Sequence, residues 1–226
     1  MPSALVTGGS SGIGRAIAAM LAEEGYALTL AGRRLEKLEQ ARAGLAAEIV
    51  QADVSSEEDC ARLVSEHVAA HGGLDVLVNS AGLGIASTTA DTTTKAWDRQ
   101  HSVNLRGAFL VTREALPYLR AAKGYVVNLA SIAGTIPTPG LSAYGAAKAG
   151  LIALTKTLSR EEEDSGVRFT ALCPGFVDTP MAAWTGLRPE QMIAPEDCSE
   201  IVRALLRLSP SARVPVLVIE RAGDAV

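Results

Sequence analysis

At 226 residues, the chain is long enough for one sizeable core. That core must be aliphatic, because 48% of the residues are hydrophobic and only 4% are aromatic. A formal charge of −4 and an isoelectric point near 5.5 leave no basic reservoir for a nucleic-acid backbone, so a nucleic-acid partner is not expected. Cys60, Cys173 and Cys198 are widely spaced and lack CxxC pairing, which suits reduced thiols and suggests no metal site. The opening MPSALVTGG has no basic n-region, and the longest uncharged stretch, residues 124–147, is broken by Pro137, Pro139 and four glycines; neither a signal peptide nor a membrane span is expected, and the expected location is cytoplasmic.

Short β-branched runs alternate with longer helical patterns along the chain. ALVT (4–7) reads as a strand, residues 13–25 as an amphipathic helix stopped at Gly25, and ALTLAG (27–32) as a second strand. A helix over 35–46, a strand over 48–54, a helix over 56–72 and a strand over 74–82 follow, with Ser55 and Glu58 forming a capping box at the third helix. The second half reads as one long helix around 95–121, a strand over 124–131, a helix over 142–164 with a stop at Gly166, and a strand over 167–173. Residues 177–193 lose periodicity and read as a mobile flap over a site, before a helix at 195–209 and a final strand at 214–220. Strand and helix alternating at this spacing predict right-handed crossovers and a parallel sheet covered on both faces, a single α/β domain spanning 1–226.

TGGSSGIG, Thr7 to Gly14, lies between the first strand and the first helix. Gly8, Gly12 and Gly14 allow a tight turn that brings the backbone of Ser10, Ser11 and Ile13 close to a pyrophosphate at a positively polarised helix N-terminus. The second strand ends without the acid that grips a ribose 2′-hydroxyl; Arg33 and Arg34 stand there instead, either as the grip on a 2′-phosphate or as solvated loop charges. Asp53, followed by Val54, is an adenine-amino acceptor or a turn aspartate. In VNSAG, Asn79, Ala81 and Gly82 end the fourth strand at the ligand-binding edge, although Asn79 alternatively stitches two strands together.

In SAYGAAKAGL, Tyr144 and Lys148 stand one helical turn apart, on one face. An ammonium beside a phenol favours the phenolate and lowers its pKa, which would make the pair a proton donor and acceptor, while the surrounding alanines and glycines permit close packing. Ser131 sits at the carboxyl end of a buried strand, where its hydroxyl can hold a substrate oxygen. Asn104 is a poor helix former in an apolar helix, explained either by a water held beside Lys148 or by a buried amide cap. Trp97, Met181, Trp184, Leu187 and Met192 are either an apolar pocket wall or core.

Over nearly its whole length the sequence resembles the short-chain dehydrogenase/reductases of the TGxxxGxG and YxxxK type. Thr7, Gly8, Gly12 and Gly14 match the first motif, NSAG resembles the family's NNAG, and Asn104, Ser131, Tyr144 and Lys148 match its catalytic tetrad in order and spacing. CPGFVDT matches PGxxxT, so Pro174, Gly175, Val177 and Thr179 are carried over as contacts on the nicotinamide side. The resemblance implies a Rossmann-type doubly wound fold with a seven-stranded parallel sheet, and a homodimer or homotetramer built on the helices bearing Asn104 and Tyr144. Ser80 replaces the second Asn, and the tail VIERAGDAV lacks the family's common terminal glycine pair. The implied activity is NADP(H)-dependent hydride transfer to a carbonyl or from an alcohol, with NAD(H) as the second choice of cofactor. Tyr144 would be the proton donor, Ser131 would polarise the oxygen, Lys148 would hold the ribose and Asn104 would anchor the relay. A non-enzymatic NADP(H) sensor and a dehydratase or epimerase are the alternatives.

Overall fold

The computed structural model describes residues 1–223; residues 224–226 of the expected 1–226 domain lie outside the described residues. Seven parallel strands form one sheet in the order β3-β2-β1-β4-β5-β6-β7: β1 (Ser3–Thr7), β2 (Ala27–Gly32), β3 (Ala47–Gln51), β4 (Val76–Asn79), β5 (Tyr125–Leu129), β6 (Arg168–Pro174) and β7 (Val216–Ile219). Strand order reverses between β1 and β4, the place where such sheets open a crevice beyond their carboxyl ends.

Alternation along β1 sorts the core into two layers. Ala4 and Val6 face α1 (Gly12–Glu23), α2 (Leu35–Arg42) and α7 (Pro195–Arg207), packing with Ile17, Leu21, Leu38 and Val202. Leu5 faces the opposite way, toward α3 (Glu57–His71) and α5 (Ala108–Ala122), with Leu63, Val111 and Leu119. β1, β4 and β5 are buried along their whole length, as expected of central strands covered on both sides.

Boundaries differ from the sequence pattern where side chains compete for backbone. The third helix is capped by Ser56, whose Oγ accepts from Asp59 N at 3.2 Å, and not by Ser55. Ser55 is held instead by Asp53, whose Oδ1 accepts from its N at 3.0 Å and its Oγ at 2.7 Å. The second helix stops at Arg42 because Gly44 takes a φ of +83°. The long helix expected around 95–121 is divided into α4 (Thr94–His101), a π-helical turn (Ser102–Gly107) and α5. α6 (Ser142–Glu161) ends three residues before the expected 164, ahead of the turn that closes at Gly166, φ +80°. Residues 177–193 form an excursion pinned at its base by a parallel bridge between Val177 and Ile193, and 3₁₀ turns occupy Pro180–Thr185 and Pro189–Gln191 within it.

At the end of the sheet remote from the cleft, His67 is fully buried. Its Nδ1 is 2.8 Å from Thr29 Oγ1, its Nε2 is 3.3 Å from Ser3 Oγ, and its ring lies 4.8 Å from that of His71. Burial, with a smaller push from His71, drives its pKa from 6.5 to about 4. The folded chain therefore holds His67 neutral where the unfolded chain protonates it, so stability present above pH 6.5 is lost as pH falls toward about 4. Denaturant titrations across that window are expected to lose about 3 kcal/mol through this residue, a loss the uncharged variant His67→Gln should lack.

Candidate active site

The strand ends of β1, β4, β5 and β6 open onto a cleft of about 520 Å³. From the glycine-rich loop, Gly8, Ser10, Ser11, Gly12 and Ile13 line it. Gly8 and Gly12 have φ of +67° and +53°, and a Cβ on Gly8 would lie 2.8 Å from Ser80 O while one on Gly12 would lie 2.9 Å from Thr179 Cγ2. Gly14 faces inward: its Cβ would meet Gly8 O at 2.5 Å, so it lets α1 close on the loop without lining the cleft. Thr7 ties the loop to β4, its Oγ1 accepting from Ala81 N at 3.2 Å.

Arg33 and Arg34 follow β2, line the cleft and are exposed; neither guanidinium makes a hydrogen bond or ion pair among the described residues. Asp53 and Val54 line the same end, and Asp53 is also the turn aspartate that holds Ser55. Ala81 and Gly82 line the cleft beside the Lys148 ammonium. Asn79 does not reach it. Its Nδ2 donates to Thr112 Oγ1 at 3.0 Å and to Asn128 Oδ1 at 2.9 Å, joining β4 to β5 and α5, which is the strand-stitching alternative.

Lys148 is buried and donates from Nζ to Leu129 O at 2.5 Å, fastening α6 to the end of β5. The close approach depends on small residues. A Cβ on Gly145 would sit 2.7 Å from Ala133 O, one on Gly134 would sit 2.8 Å from the Lys148 carbonyl carbon, and one on Gly150 would sit 2.9 Å from Leu105 Cδ2. The neighbours are thus the turn after β5 and the π turn. Tyr144 lines the cleft with the Lys148 Nζ 5.6 Å from its ring centre, and Ser131 lies at the cleft on the residue that opens the short turn Ile132–Gly134. Ser131 Oγ accepts from Ala133 N at 3.2 Å.

The electrostatics differ from a simple lysine-depressed phenol. Burial pushes the Tyr144 pKa above its ordinary value, and a hydrogen bond from the Ser131 hydroxyl opposes that shift. Lys148 is itself pushed down to about 8 by burial. Lys148 is buried and Tyr144 is half-buried at the cleft wall, and the hydration each has lost outweighs an ammonium directed at the Leu129 carbonyl. At neutral pH the arrangement is a protonated phenol with a cation against its ring.

Asn104 lies in the π turn and is buried just behind the cleft. Its Oδ1 accepts from Leu83 N at 2.9 Å and its Nδ2 donates to Leu83 O at 2.8 Å, so the side chain is the buried amide cap. A Cβ on Gly82 would lie 3.1 Å from that Oδ1 and 3.7 Å from Lys148 Nζ, so Asn104 and Lys148 flank one stretch of backbone. Gln100, one turn earlier, secures the same loop by accepting from Ile85 N at 3.0 Å, a residue sequence reasoning missed.

Pro174, Gly175, Val177 and Thr179 line the cleft after β6, with Met181 and Trp184 beyond them. Trp97 instead stacks on His101 at 4.3 Å, Leu187 is away from the cleft, and Met192 lines a separate shallow depression on the α7 side. Sequence reading missed the wall formed by Ile136, Pro137 and Phe176. Its signal was TIPTPG, an apolar turn with two prolines just ahead of the Tyr144 helix. Replacing Asn104 by Ala orphans the Leu83 N–H and carbonyl and is expected to destabilise the chain by about 1–3 kcal/mol in denaturant titrations.

A family profile described as short chain dehydrogenase matches residues 2–188. An uncharacterized oxidoreductase of Staphylococcus epidermidis is 37% identical over 205 residues, covering 88% of each chain. One from Staphylococcus aureus is 36% identical over 203 residues, with the same coverage. Among solved structures, an alcohol dehydrogenase from the archaeon Thermococcus sibiricus complexed with 5-hydroxy-NADP superposes at a TM-score of 0.92 and 30% identity, over 100% of this chain and 98% of that one. Levodione reductase superposes at 0.89 and 29% identity, over 97% and 95%.

Proposed function

The chain belongs to the short-chain dehydrogenase family of oxidoreductases, and from that premise we propose that it reduces a carbonyl compound with NADPH, or oxidises the matching secondary alcohol with NADP⁺. The observation that carries the reading is the convergence of Ser131, Tyr144 and Lys148 on one cleft whose far end holds two uncompensated arginines. The residues present fit a dinucleotide: Gly8 and Gly12 form a backbone cradle that a Cβ would fill, at the N-terminus of α1. Ser10, Ser11 and Ile13 complete that cradle, and Asp53 and Val54 border the adenine end. Ala81, Gly82, Pro174, Gly175, Val177 and Thr179 border the nicotinamide end.

When bound, the nicotinamide supplies or takes up the hydride. Tyr144, held protonated by burial, donates its proton to the carbonyl oxygen as negative charge develops there. The Ser131 hydroxyl, which accepts from Ala133 N and is hydrogen-bonded to Tyr144, turns its O–H to the same carbonyl oxygen and fixes it beside the phenol. Lys148 stays charged at neutral pH, holds the ribose and, with its ammonium 5.6 Å from the Tyr144 ring centre, lowers the penalty of the transient phenolate. Asn104 acts through Leu83, keeping the wall next to Lys148 in place. We read residues 1–226 as one domain acting in the cytoplasm, with residues 177–193 as a flap. Exposed Trp97, Phe109 and Tyr118 supply apolar surface for a homodimer or homotetramer.

Following NADPH absorbance over a panel of carbonyl compounds tests the reading, and consumption of substrate at constant absorbance would instead indicate a dehydratase or epimerase. Tyr144→Phe is expected to lower turnover by about 10²–10⁴-fold while leaving NADPH affinity essentially unchanged. Arg33→Asp is expected to weaken NADPH relative to NADH by roughly 10- to 100-fold in equilibrium titrations, and an unchanged ratio would return Arg33 to a solvated loop charge.

A further inference from the structure

The cleft is electrically lopsided. Among the described residues only Arg33, Arg34, Asp53 and Lys148 bring charge to it. The first three follow β2 and β3, and the Lys148 ammonium is already on the Leu129 carbonyl. Around Ser131 and Tyr144 the walls come mainly from three loops, those after β4, β5 and β6, with Val103 of the π turn and Gly223 after β7 as uncharged additions. None of the lining residues on these loops is charged, and the bulk is Ile136, Pro137, Phe176, Met181 and Trp184. Phe176 and Trp184 meet edge to face, with ring centres 6.1 Å apart, and Trp184 and Met181 remain 60% and 44% exposed. Large apolar side chains left open to water at the mouth of a cleft are surface that a ligand can cover.

From this asymmetry we infer that the substrate is an uncharged carbonyl compound with an apolar body, and that 2- and 3-oxo acids and phosphorylated carbonyl compounds are excluded. A carboxylate seated near Tyr144 would lose its hydration against prolines, isoleucines and rings, with hydroxyls and no cation to meet it beyond the Lys148 ammonium, which the Leu129 carbonyl already holds. A neutral ketone loses nothing comparable, because its one polar atom is met by Ser131 and Tyr144. Thr138, on the same wall, adds one hydroxyl, which donates to Ile136 O over a long 3.4 Å and can turn to a second neutral polar atom such as an ester or another ketone oxygen. The inference rests on the reductase reading for its chemistry, but its physical content is a binding preference.

The test uses matched pairs: ethyl acetoacetate against acetoacetate, and acetophenone against 4-acetylbenzoate. With wild-type protein and NADPH, kcat/KM is expected to favour the neutral member of each pair by at least about tenfold. Met181→Arg, which puts a guanidinium into the wall, is expected to narrow the gap by raising kcat/KM for the acids. Equal or better turnover of the acids by the wild type would overturn the inference and leave the reductase reading intact. A binding readout separates the converse case. In a Trp97→Phe background Trp184 is the sole indole, and its fluorescence should respond to the neutral ketones and not to the acids in the NADP⁺-loaded protein. If that pattern appears without NADPH oxidation, the pocket preference stands and the reductase reading falls; if neither pattern nor oxidation appears, both fall.

Discussion

A lysine ammonium buried on one backbone carbonyl is the constraint around which the site is arranged. Lys148 Nζ on Leu129 O fixes α6 against the carboxyl end of β5, which sets Tyr144 one turn above and Ser131 two residues beyond that carbonyl. Driving the lysine from 10.5 to about 8 corresponds to on the order of 3 kcal/mol against its charged form. The fold tolerates that penalty because Gly134, Gly145 and Gly150 remove side chains where three backbone segments meet. A larger residue at Gly134 or Gly145 would meet backbone and push α6 off the strand end, whereas one at Gly150 would meet only the Leu105 side chain.

A second device surrounds this one. Asn79 and Asn128 stand side by side in the β4–β5 register and bond to each other, to Thr112 on α5 and to Thr155 on α6. This buried polar layer ties the strands that end at the cleft to the helices behind it, in a dry setting where each bond is hard to replace. The π turn does the same work for the loop after β4. By opening the helix at Ser102–Gly107 it lets Asn104 turn both ends of its amide to Leu83, and Gly107 lets that turn approach Val54, where a Cβ would come within 2.8 Å.

These two supports give the cleft its polarity along one line. Among the described residues charge comes only from the β2 and β3 ends and from a lysine already hydrogen-bonded, while the three loops around the phenol contribute hydroxyls and hydrocarbon. A parallel sheet favours this division, because each loop is built by a different strand and need serve only the part of a ligand nearest to it.

Sequence alone determined the sheet and much of the site. Period-two and period-3.6 patterns, glycine stops and the loop TGGSSGIG specify local structure, and local structure alternating at that spacing leaves few topologies open. Tyr144 and Lys148 were legible as a pair because helical spacing brings them to one face, and Ser131 because it ends a buried run. What remained illegible depends on partners distant in sequence. Nothing near Asn79 reveals Asn128 and Thr112, nothing near Asn104 reveals Leu83, and Ser55 reads as a helix cap until Asp53 engages it. The apolar wall and the elevated phenol were likewise decided by the tertiary structure. Burial is a property of the packed whole, and desolvation in that packing outweighed the helical neighbour that sequence spacing put forward.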